Sequence, residues 1–248
     1  MDTFRADLHI HTVLSPCGSL EMSPARIIQE AVNKNLDILA ITDHNSTRQC
    51  RVVMEMGRKA GITVWGGAEI NTREEVHCLV FFDDMAGIER LQNWLDQWLM
   101  VIKNRPDYFG DQVWVDEEEN ILGEEERLLI MALDRNLDQC YEAVHEMGGV
   151  FAPAHIDRPS NSLTSQLGFV PPDVRAEGLE ISPGVSPEEV RARGWDKMKP
   201  LLAGSDAHQP EKVGTHLTIM KMKNTGLEEC KNALARKGGR YVFPRIMK

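Results

Sequence analysis

The chain has 248 residues, of which 42% are hydrophobic and 27% charged, enough for one barrel or two small layered domains around an apolar core. It contains no apolar run of roughly 18 residues, the length of a membrane span, and residues 1–5 lack the apolar region of a secretory signal. The five cysteines include no Cys-x-x-Cys pair, which disfavours a disulfide framework and a zinc finger. We therefore expect a soluble, cytoplasmic protein that binds no membrane.

The charge argues against general attraction to duplex nucleic acid. Lys and Arg number 28 against 38 Asp and Glu, a net charge of −10. The excess is local, because residues 83–147 contain 17 acidic and 5 basic residues. Since charge-driven duplex binding needs a basic surface, duplex nucleic acid is not an expected partner.

Short apolar runs alternate with helical patterns in the first third of the chain. Strands are predicted at 4–10, 36–42, 62–70 and 76–82, with one helix starting after Ser23-Pro24 and another over 46–60. Such alternation predicts parallel strands joined by crossover helices, and reactive groups then gather at the C-terminal ends of the strands.

The middle of the chain interrupts this alternation. Apolar residues recur at helical spacing over 85–100 and 137–147, which predicts a helix in each range, and an acidic run lies between them at 116–119. Strands resume at 150–155, 178–181, 201–205 and 217–220. With no repeat or linker visible, we interpret residues 1–248 as one domain carrying an acidic, largely helical insertion at 83–147.

Histidine and acidic residues are concentrated where the predicted strands end. Side chains two apart in a strand share a face, so His9 and His11 can reach one ion. Glu69 has two oxygens that could bridge two cations. Imidazole and carboxylate without assembled thiolates suit zinc, manganese or iron. The segments are Asp7-Leu8-His9-Ile10-His11-Thr12, Thr42-Asp43-His44-Asn45, Gly67-Ala68-Glu69-Ile70 followed by His77, the isolated His155, and Gly204-Ser205-Asp206-Ala207-His208.

Two histidines do not follow this pattern. His145 lies in a predicted helix and His216 in a predicted strand. A single histidine in such a position is more often a hydrogen-bonded structural residue than a ligand, so both are interpreted as structural.

These five motifs, in this order over about residues 5–220, resemble those of the PHP (polymerase and histidinol phosphatase) family. The resemblance implies an α/β fold, a distorted (β/α)7 TIM-like barrel. It also implies two or three divalent metal ions at the C-terminal mouth and phosphoester hydrolysis as the usual chemistry. One ion would be held by His9, His11, Glu69 and Asp206, a second by Glu69, His77 and His155, and a third by His44 and His208.

The third site departs from the family pattern. Pro16 and Cys17 stand where many members have an Asp or a His, so Cys17 is either a thiolate ligand or a structural thiol. Asp7 and Asp43 are expected to accept hydrogen bonds from ligand imidazoles.

The favoured function is hydrolysis of a small phosphomonoester such as a nucleotide, a nucleoside bisphosphate or histidinol phosphate. A hydroxide held between two ions would attack phosphorus, with Glu69 as the bridge. Arg158, three residues after His155, could bind the phosphoryl group or be a solvated loop residue. His208, if protonated, or the third ion would receive the leaving oxygen.

Three alternatives remain open. A short-oligonucleotide exonuclease needs no basic surface, because a cleft can hold a few nucleotides. An amidohydrolase-type C–N hydrolase is disfavoured by the later motifs and by the lack of a Lys at a mid-chain strand end. A non-catalytic PHP module is disfavoured because eight of the nine implied ligand positions are kept.

Overall fold

The computed structural model describes residues 1–245. Its strands are β1 (Asp2–Ile10), β2 (Ile38–Ile41), β3 (Thr63–Asn71), β4 (His77–Phe82), β5 (Val113–Val115), β6 (Ile121–Glu124), β7 (Val150–Pro153), β8 (Leu179–Glu180), β9 (Leu201–Leu202), β10 (Leu217–Met222) and β11 (Tyr241–Arg245). Its helices are α1 (Pro24–Asn33), α2 (Cys50–Ala60), α3 (Met85–Trp98), α4 (Pro106–Phe109), α5 (Leu137–Glu146), α6 (Leu163–Leu167), α7 (Pro187–Arg193), α8 (Trp195–Met198) and α9 (Leu227–Leu234).

Seven strands form one curled sheet in the order β11-β10-β1-β2-β3-β4-β7. The short parallel pair β8–β9 touches β7 on one side and β11 on the other, so it bridges the two edges of the sheet. The result is the distorted, TIM-like barrel that the sequence predicts. Alternate residues of β2 enter two different apolar clusters, as in a sheet buried on both faces.

The prediction of parallel strands is correct for β1, β2 and β3 and wrong for β4 and β10. Only five residues, 72–76, separate β3 from β4. A parallel crossover needs a dozen or more residues, so β4 must run back antiparallel. This reversal places His77, the first residue of β4, opposite Asn71 and at the same end of the sheet as Glu69.

The insertion is less helical than predicted. Helices α3 and α5 lie where they are expected, but residues 99–136 hold only the single turn of α4, the antiparallel hairpin β5–β6 and irregular segments. Buried amide side chains stabilise these irregular segments. Gln112 accepts a hydrogen bond from the Leu129 N–H and donates to the carbonyls of Glu125 and Arg127. Because side-chain hydrogen bonds to the main chain hold these segments in place, their sequence shows no helical periodicity.

The same kind of contact joins the insertion to the barrel. Gln49, just before α2, pairs with both the N–H and the carbonyl of Val115 in β5. Asn45, just after β2, donates to the carbonyls of Leu129 and Met131. The insertion therefore packs directly beside the strand ends that carry the motifs. None of the helices within residues 1–245 is long and apolar enough to cross a membrane.

Candidate metal centre

The structure brings all nine residues predicted as metal ligands to one end of the sheet. They are contributed by β1 and the loop after it, by the loop after β2, by the end of β3 and the start of β4, and by the loops after β7 and β9. The nine are His9, His11, Cys17, His44, Glu69, His77, His155, Asp206 and His208.

The Glu69 carboxylate lies at the middle of this group and is buried. Its Oε1 is 2.9 Å from both His77 Nδ1 and His155 Nε2. Its Oε2 is 3.2 Å from His44 Nδ1 and 3.3 Å from His11 Nε2. The two oxygens thus face two different sets of imidazoles, which is the arrangement expected of a carboxylate that bridges two cations.

Asp206 completes the side of the cluster nearest β1. Its Oδ1 is 3.3 Å from His9 Nε2 and 3.2 Å from His11 Nε2. Its Oδ2 pairs with the Arg158 guanidinium, whose side chain is partly exposed at the mouth. Arg158 therefore lies at the centre itself, in contact with a candidate ligand rather than in open solvent.

Within residues 1–245, three sets of ligand atoms are compact enough to hold an ion, each with its atoms within 4.8 Å of one another. The sets are His9, His11 and Asp206; His44, Glu69 and His77; and His11, Cys17, His44 and His208. The first set is the first implied site without Glu69. The second set combines His44 with two residues of the second implied site, and the third adds Cys17 and His11 to the residues of the third implied site.

Cys17 and His208 lie together at the rim of the centre. The Cys17 Sγ is 3.1 Å from His208 Nε2, and Cys17 is the exposed cysteine, whereas the other four are buried. Although the residue is exposed overall, neighbouring groups displace water from its sulfur, and this desolvation, followed by the charge of Glu69, raises the pKa of the Cys17 thiol to about 12. Without a cation the thiol is therefore neutral, and its use as a thiolate ligand requires one.

The buried polar atoms of the centre fit divalent cations better than they fit one another. The Nε2 atoms of His9 and His11 are only 3.2 Å apart. The buried Nδ1 of His155 has no hydrogen-bond partner, and the buried Nδ1 of His44 lies 3.2 Å from Glu69 Oε2 without the geometry of a hydrogen bond. Buried nitrogens that lack a partner are costly. Imidazole and carboxylate donors converging in this way suit a zinc, manganese or iron ion.

The pKa values of the buried groups at the centre reflect how close the carboxylates and imidazoles lie to one another. Burial alone would raise the pKa of the Glu69 carboxyl, but the surrounding imidazoles, His77 foremost, hold it well below its usual value. Burial would lower the pKa of His11, but hydrogen bonds to Asp206 and Glu69 raise it to about 9. The carboxylates are thus ionised and attract positive charge.

His208 differs from His11 in this respect. Burial and the nearby charge of His11 lower the pKa of His208 to about 4. Its imidazole is therefore neutral near pH 7, which is the form that binds a metal.

Sequence reasoning missed Glu180, which orients His9. Glu180 lies in β8 and is buried, with its oxygens 3.0 and 3.2 Å from His9 Nδ1. It also accepts the His155 N–H at 2.9 Å. A carboxylate on Nδ1 leaves Nε2 of His9 for the centre. The only signal in the sequence is one acidic residue among the apolar residues of a predicted strand.

The two aspartates that precede the histidine motifs act differently from the prediction. Asp43 reaches His11 only through Ser15, whose hydroxyl donates to Asp43 Oδ1 and lies 2.9 Å from His11 Nδ1. Asp7 contacts no imidazole. It accepts main-chain N–H groups of His9, Ser205 and Gly214, because these three segments converge beneath the centre.

The backbone around the centre is strained in a way typical of functional sites. His155 and Asp206 have positive φ values of 28° and 49°, a conformation that costs non-glycine residues free energy. Gly204 lies against β1, where an added Cβ would come within 2.5 Å of the His9 Cβ. Only glycine lets the chain approach His9 this closely.

His216 was interpreted as a structural residue inside a strand, but it lies in the loop before that strand. It precedes β10, is only partly buried, and lines a cavity of about 800 Å³ that opens next to Asp206 and His208. The cavity runs between the loop at 17–19 and the loop at 209–216. His145, by contrast, is exposed on α5 and far from the centre in the fold.

Comparison with known families defines the class of the protein. The PHP domain profile matches residues 7–166, and that of a PHP-associated segment matches residues 196–236. The chain therefore belongs to the PHP family of metal-dependent hydrolases.

Among individual proteins, the chain is similar to the uncharacterized protein YqxK of Bacillus subtilis, with 26% identity over 272 aligned residues that cover 96% of this chain and 63% of YqxK. It is also similar to the uncharacterized protein MJ1587 of Methanocaldococcus jannaschii, with 37% identity over 79 residues that cover 28% of this chain and 46% of MJ1587. The chain thus spans less than two thirds of either relative.

Solved structures share the fold at low identity. Endonuclease Q of Pyrococcus furiosus matches 97% of this chain and 58% of its own length, with a TM-score of 0.67 and 18% identity. A proposed metal-dependent phosphoesterase of Bifidobacterium adolescentis matches 94% of this chain and 96% of its own length, with a TM-score of 0.55 and 19% identity. An amidohydrolase of Chromobacterium violaceum matches 84% of this chain and 89% of its own length, with a TM-score of 0.52 and 17% identity. These likenesses support the predicted barrel.

Proposed function

We propose that the protein is a metal-dependent phosphoesterase that hydrolyses a small phosphomonoester. The observation that carries this proposal is the position of Glu69, with Oε1 against His77 and His155 and Oε2 against His11 and His44. Two adjacent cation sites sharing one carboxylate are the arrangement used for in-line phosphoryl displacement.

The ions would be held by the nine residues at the end of the sheet, with zinc, manganese or iron favoured by the donor set. When bound, such ions offset phosphoryl charge and supply a nucleophile from water at neutral pH. The protein's own contribution is to hold the donors in place. Glu180 fixes the ring of His9, and Ser15 with Asp43 fixes that of His11.

Arg158 is the group best placed to bind the phosphoryl oxygens. One of its nitrogens pairs with Asp206 Oδ2, and its side chain is 38% exposed at the mouth. The guanidinium has five N–H donors in a fixed fork, so donors remain for a substrate. Charge-assisted donors aimed at a developing negative charge stabilise the transition state.

A small substrate is favoured by the surroundings of the centre. The acidic insertion packs beside the loop that carries Cys17, where Gly110 approaches the Pro16 carbonyl and Glu119 accepts a hydrogen bond from Ser23. A polyanion laid across this side would meet negative charge.

Cleavage of a phosphodiester in nucleic acid is the second candidate, and one finding favours it. Endonuclease Q, which shares the fold over 97% of this chain, has been solved in complex with a 27-mer duplex carrying an abasic lesion at its active site. This finding conflicts with the expectation, drawn from net charge, that duplex nucleic acid is not a partner. The short-oligonucleotide alternative stays open on the same ground.

The amidohydrolase-type alternative has the support of one neighbour with that name. It would require a C–N substrate in place of a phosphoester. The non-catalytic alternative would require a centre that does not assemble, whereas the candidate ligands converge.

One panel tests these candidates. The purified protein, reconstituted separately with zinc, manganese and iron(II), is assayed for orthophosphate release from phosphomonoesters, for nicking of a 27-mer duplex with an abasic site, for shortening of single-stranded oligonucleotides, and for amide hydrolysis. We expect orthophosphate release to give the highest kcat/KM. Nicking of the duplex without orthophosphate release would replace the first candidate by the second.

A further inference from the structure

The cavity beside the centre is not explained by the metal ligands. It has a volume of about 800 Å³ and reaches from Asp206 and His208 to the loop at 209–216. Apart from those two residues and Cys17, its polar lining includes Ser19, Gln209, Lys212, Thr215 and His216. Volumes of roughly 300 to 1,000 Å³ are typical of pockets for small ligands.

Lys212 supplies the positive charge of this cavity. The lysine ion pairs found within residues 1–245 involve Lys34 and Lys59, so the Lys212 ammonium is not neutralised by a carboxylate. Its charge reaches His216, since burial and then the nearby Lys212 lower the pKa of that imidazole. The cavity thus has one carboxylate, Asp206, at its inner end and an unpaired cation with polar side chains at its outer end.

The loop that carries Lys212 and His216 is held firmly in place. Lys34 donates to the carbonyls of Glu211 and Val213 at 2.7 and 2.5 Å. The Gly214 N–H donates to Asp7 Oδ2 at 2.6 Å, and Asp7 also binds the His9 N–H. These hydrogen bonds therefore hold the main chain of the loop in place relative to the centre, and the exposed Lys212 side chain extends from this loop.

From these observations we infer that the cavity is a subsite for a second anionic group of the substrate, a phosphate carried by the leaving group, with Lys212 and His216 as the residues that determine this specificity. The inference rests on the proposed phosphoester hydrolysis. The scissile phosphate would lie at the centre near Arg158, and the second phosphate would lie at the outer end of the cavity. A cation carried by a loop that is held next to the centre favours substrates whose second phosphate reaches that loop.

Two substrates with the same carbon chain test this inference. Butyl phosphate carries one phosphate, and butane-1,4-diyl bisphosphate carries two. We expect kcat/KM to be higher for the bisphosphate, and Lys212→Gln to lower this preference by about 10- to 100-fold, the effect of losing a hydrogen bond to a charged group. His216→Ala should lower it less, because only a neutral donor is lost.

Lys223→Gln is the matched control. Lys223 is exposed and follows β10 at the opposite end of that strand, so the variant has the same net charge as Lys212→Gln. It should keep the preference of the wild type. Equal loss of kcat/KM on both substrates in Lys212→Gln, or no loss on either, would overturn the subsite.

Binding of phosphonates separates this inference from the proposed function. Calorimetry with butylphosphonate and butane-1,4-diyl bisphosphonate, which are not hydrolysed, measures the subsite even if no phosphoester is turned over. A bisphosphonate preference that Lys212→Gln removes would support the subsite, and its absence would refute it. A trinucleotide assayed beside the bisphosphate shows whether the second phosphate belongs to a small molecule or to a nucleotide chain.

Discussion

The metal centre and the insertion at 83–147 both bury many polar side chains, but they stabilise them in opposite ways. At the centre, charged or chargeable groups face one another, with Glu69 and Asp206 surrounded by imidazoles. In the insertion, main-chain groups pair with neutral amides, from Gln112 within it and from Gln49 of the barrel beside it. Neutral hydrogen bonds satisfy both partners, whereas a crowded set of ligands is satisfied only with its cations.

This difference predicts which substitutions alter function and which alter stability. Changes at the centre should alter metal binding and turnover first, since its geometry depends on charge. Changes in the amide contacts should alter the free energy of unfolding first. The following variants test this separation, from the largest expected effect on turnover to the smallest.

Glu69→Gln should nearly abolish turnover. The amide keeps the volume of the side chain but loses the negative charge and one ligating oxygen, so the two cation sites lose their shared ligand. We expect kcat/KM to fall by about 10³-fold or more, as for loss of a central electrostatic group, with fewer bound ions by elemental analysis. Near-normal turnover in the metal-loaded variant would rule out the bridging role.

Glu125→Gln is the matched control in the insertion. Glu125 is also buried, but its oxygens pair with Arg48 and Arg127. This variant should melt at a lower temperature and keep its full metal content. A loss of metal here as large as in Glu69→Gln would contradict the separation of the two regions.

Arg158→Ala should lower kcat/KM by roughly 10- to 1,000-fold, because charge-assisted contacts to the phosphoryl group are lost. If Arg158 acts on the substrate, the metal content stays unchanged. If it acts only by holding Asp206, metal affinity falls as well. Arg175→Ala, which removes an exposed arginine paired with Glu142, is the control. Kinetics within twofold of the wild type would make Arg158 an ordinary loop residue.

Glu180→Gln should weaken metal binding by about 10- to 100-fold, the usual effect of removing the partner of a metal-binding histidine. Glu180 accepts hydrogen bonds from both His9 Nδ1 and the His155 N–H. Both donors face the same oxygen, Oε2, so the amide of the variant can accept from them only through its own oxygen. Its NH₂ group then lies in the place of Oε1, next to the His9 Nδ1–H, and the negative charge is lost. Competition with a chelator measures the affinity. Glu177→Gln, whose carboxylate accepts the Phe151 N–H, should leave the affinity unchanged.

The strand ends and their ligands could be predicted because short motifs encode them directly. His9 and His11 share a face through strand geometry alone, and the order of the motifs indicates the family. Glu180 could not be found in this way, since β8 has only two residues and no motif spacing. The hairpin β5–β6 was missed because it depends on contacts that leave no periodic pattern. Gln49, distant in sequence, pairs with Val115 in β5, and Gln112 pairs with residues that follow β6.

Cys17→Ser tests the third site. If the Cys17 sulfur binds an ion together with His44 and His208, the variant should hold one ion fewer per chain. The ions at His9 and His11 should stay. A thiolate ligand would also make the wild type lose this ion on treatment with peroxide. The same metal content before and after the substitution would show that the cysteine is not a ligand.

Gln49→Leu should have the smallest effect on turnover and a clear effect on stability. Gln49 is fully buried and pairs with the N–H and the carbonyl of Val115. Leucine fills a similar volume but leaves both main-chain groups without a partner, and each such group costs about 1–3 kcal/mol. We therefore expect a loss of roughly 2–5 kcal/mol in the free energy of unfolding, measured by urea denaturation.

Because the amide contacts lie outside the charged cluster, kcat/KM per bound metal should change little in Gln49→Leu. Gln29→Leu is the control, since Gln29 is exposed on α1 and pairs only with Arg26. A loss of metal in Gln49→Leu at temperatures where the chain is folded would show that the insertion and the centre are one coupled unit. Unchanged metal content with a lower unfolding free energy would show that the barrel alone positions the ligands.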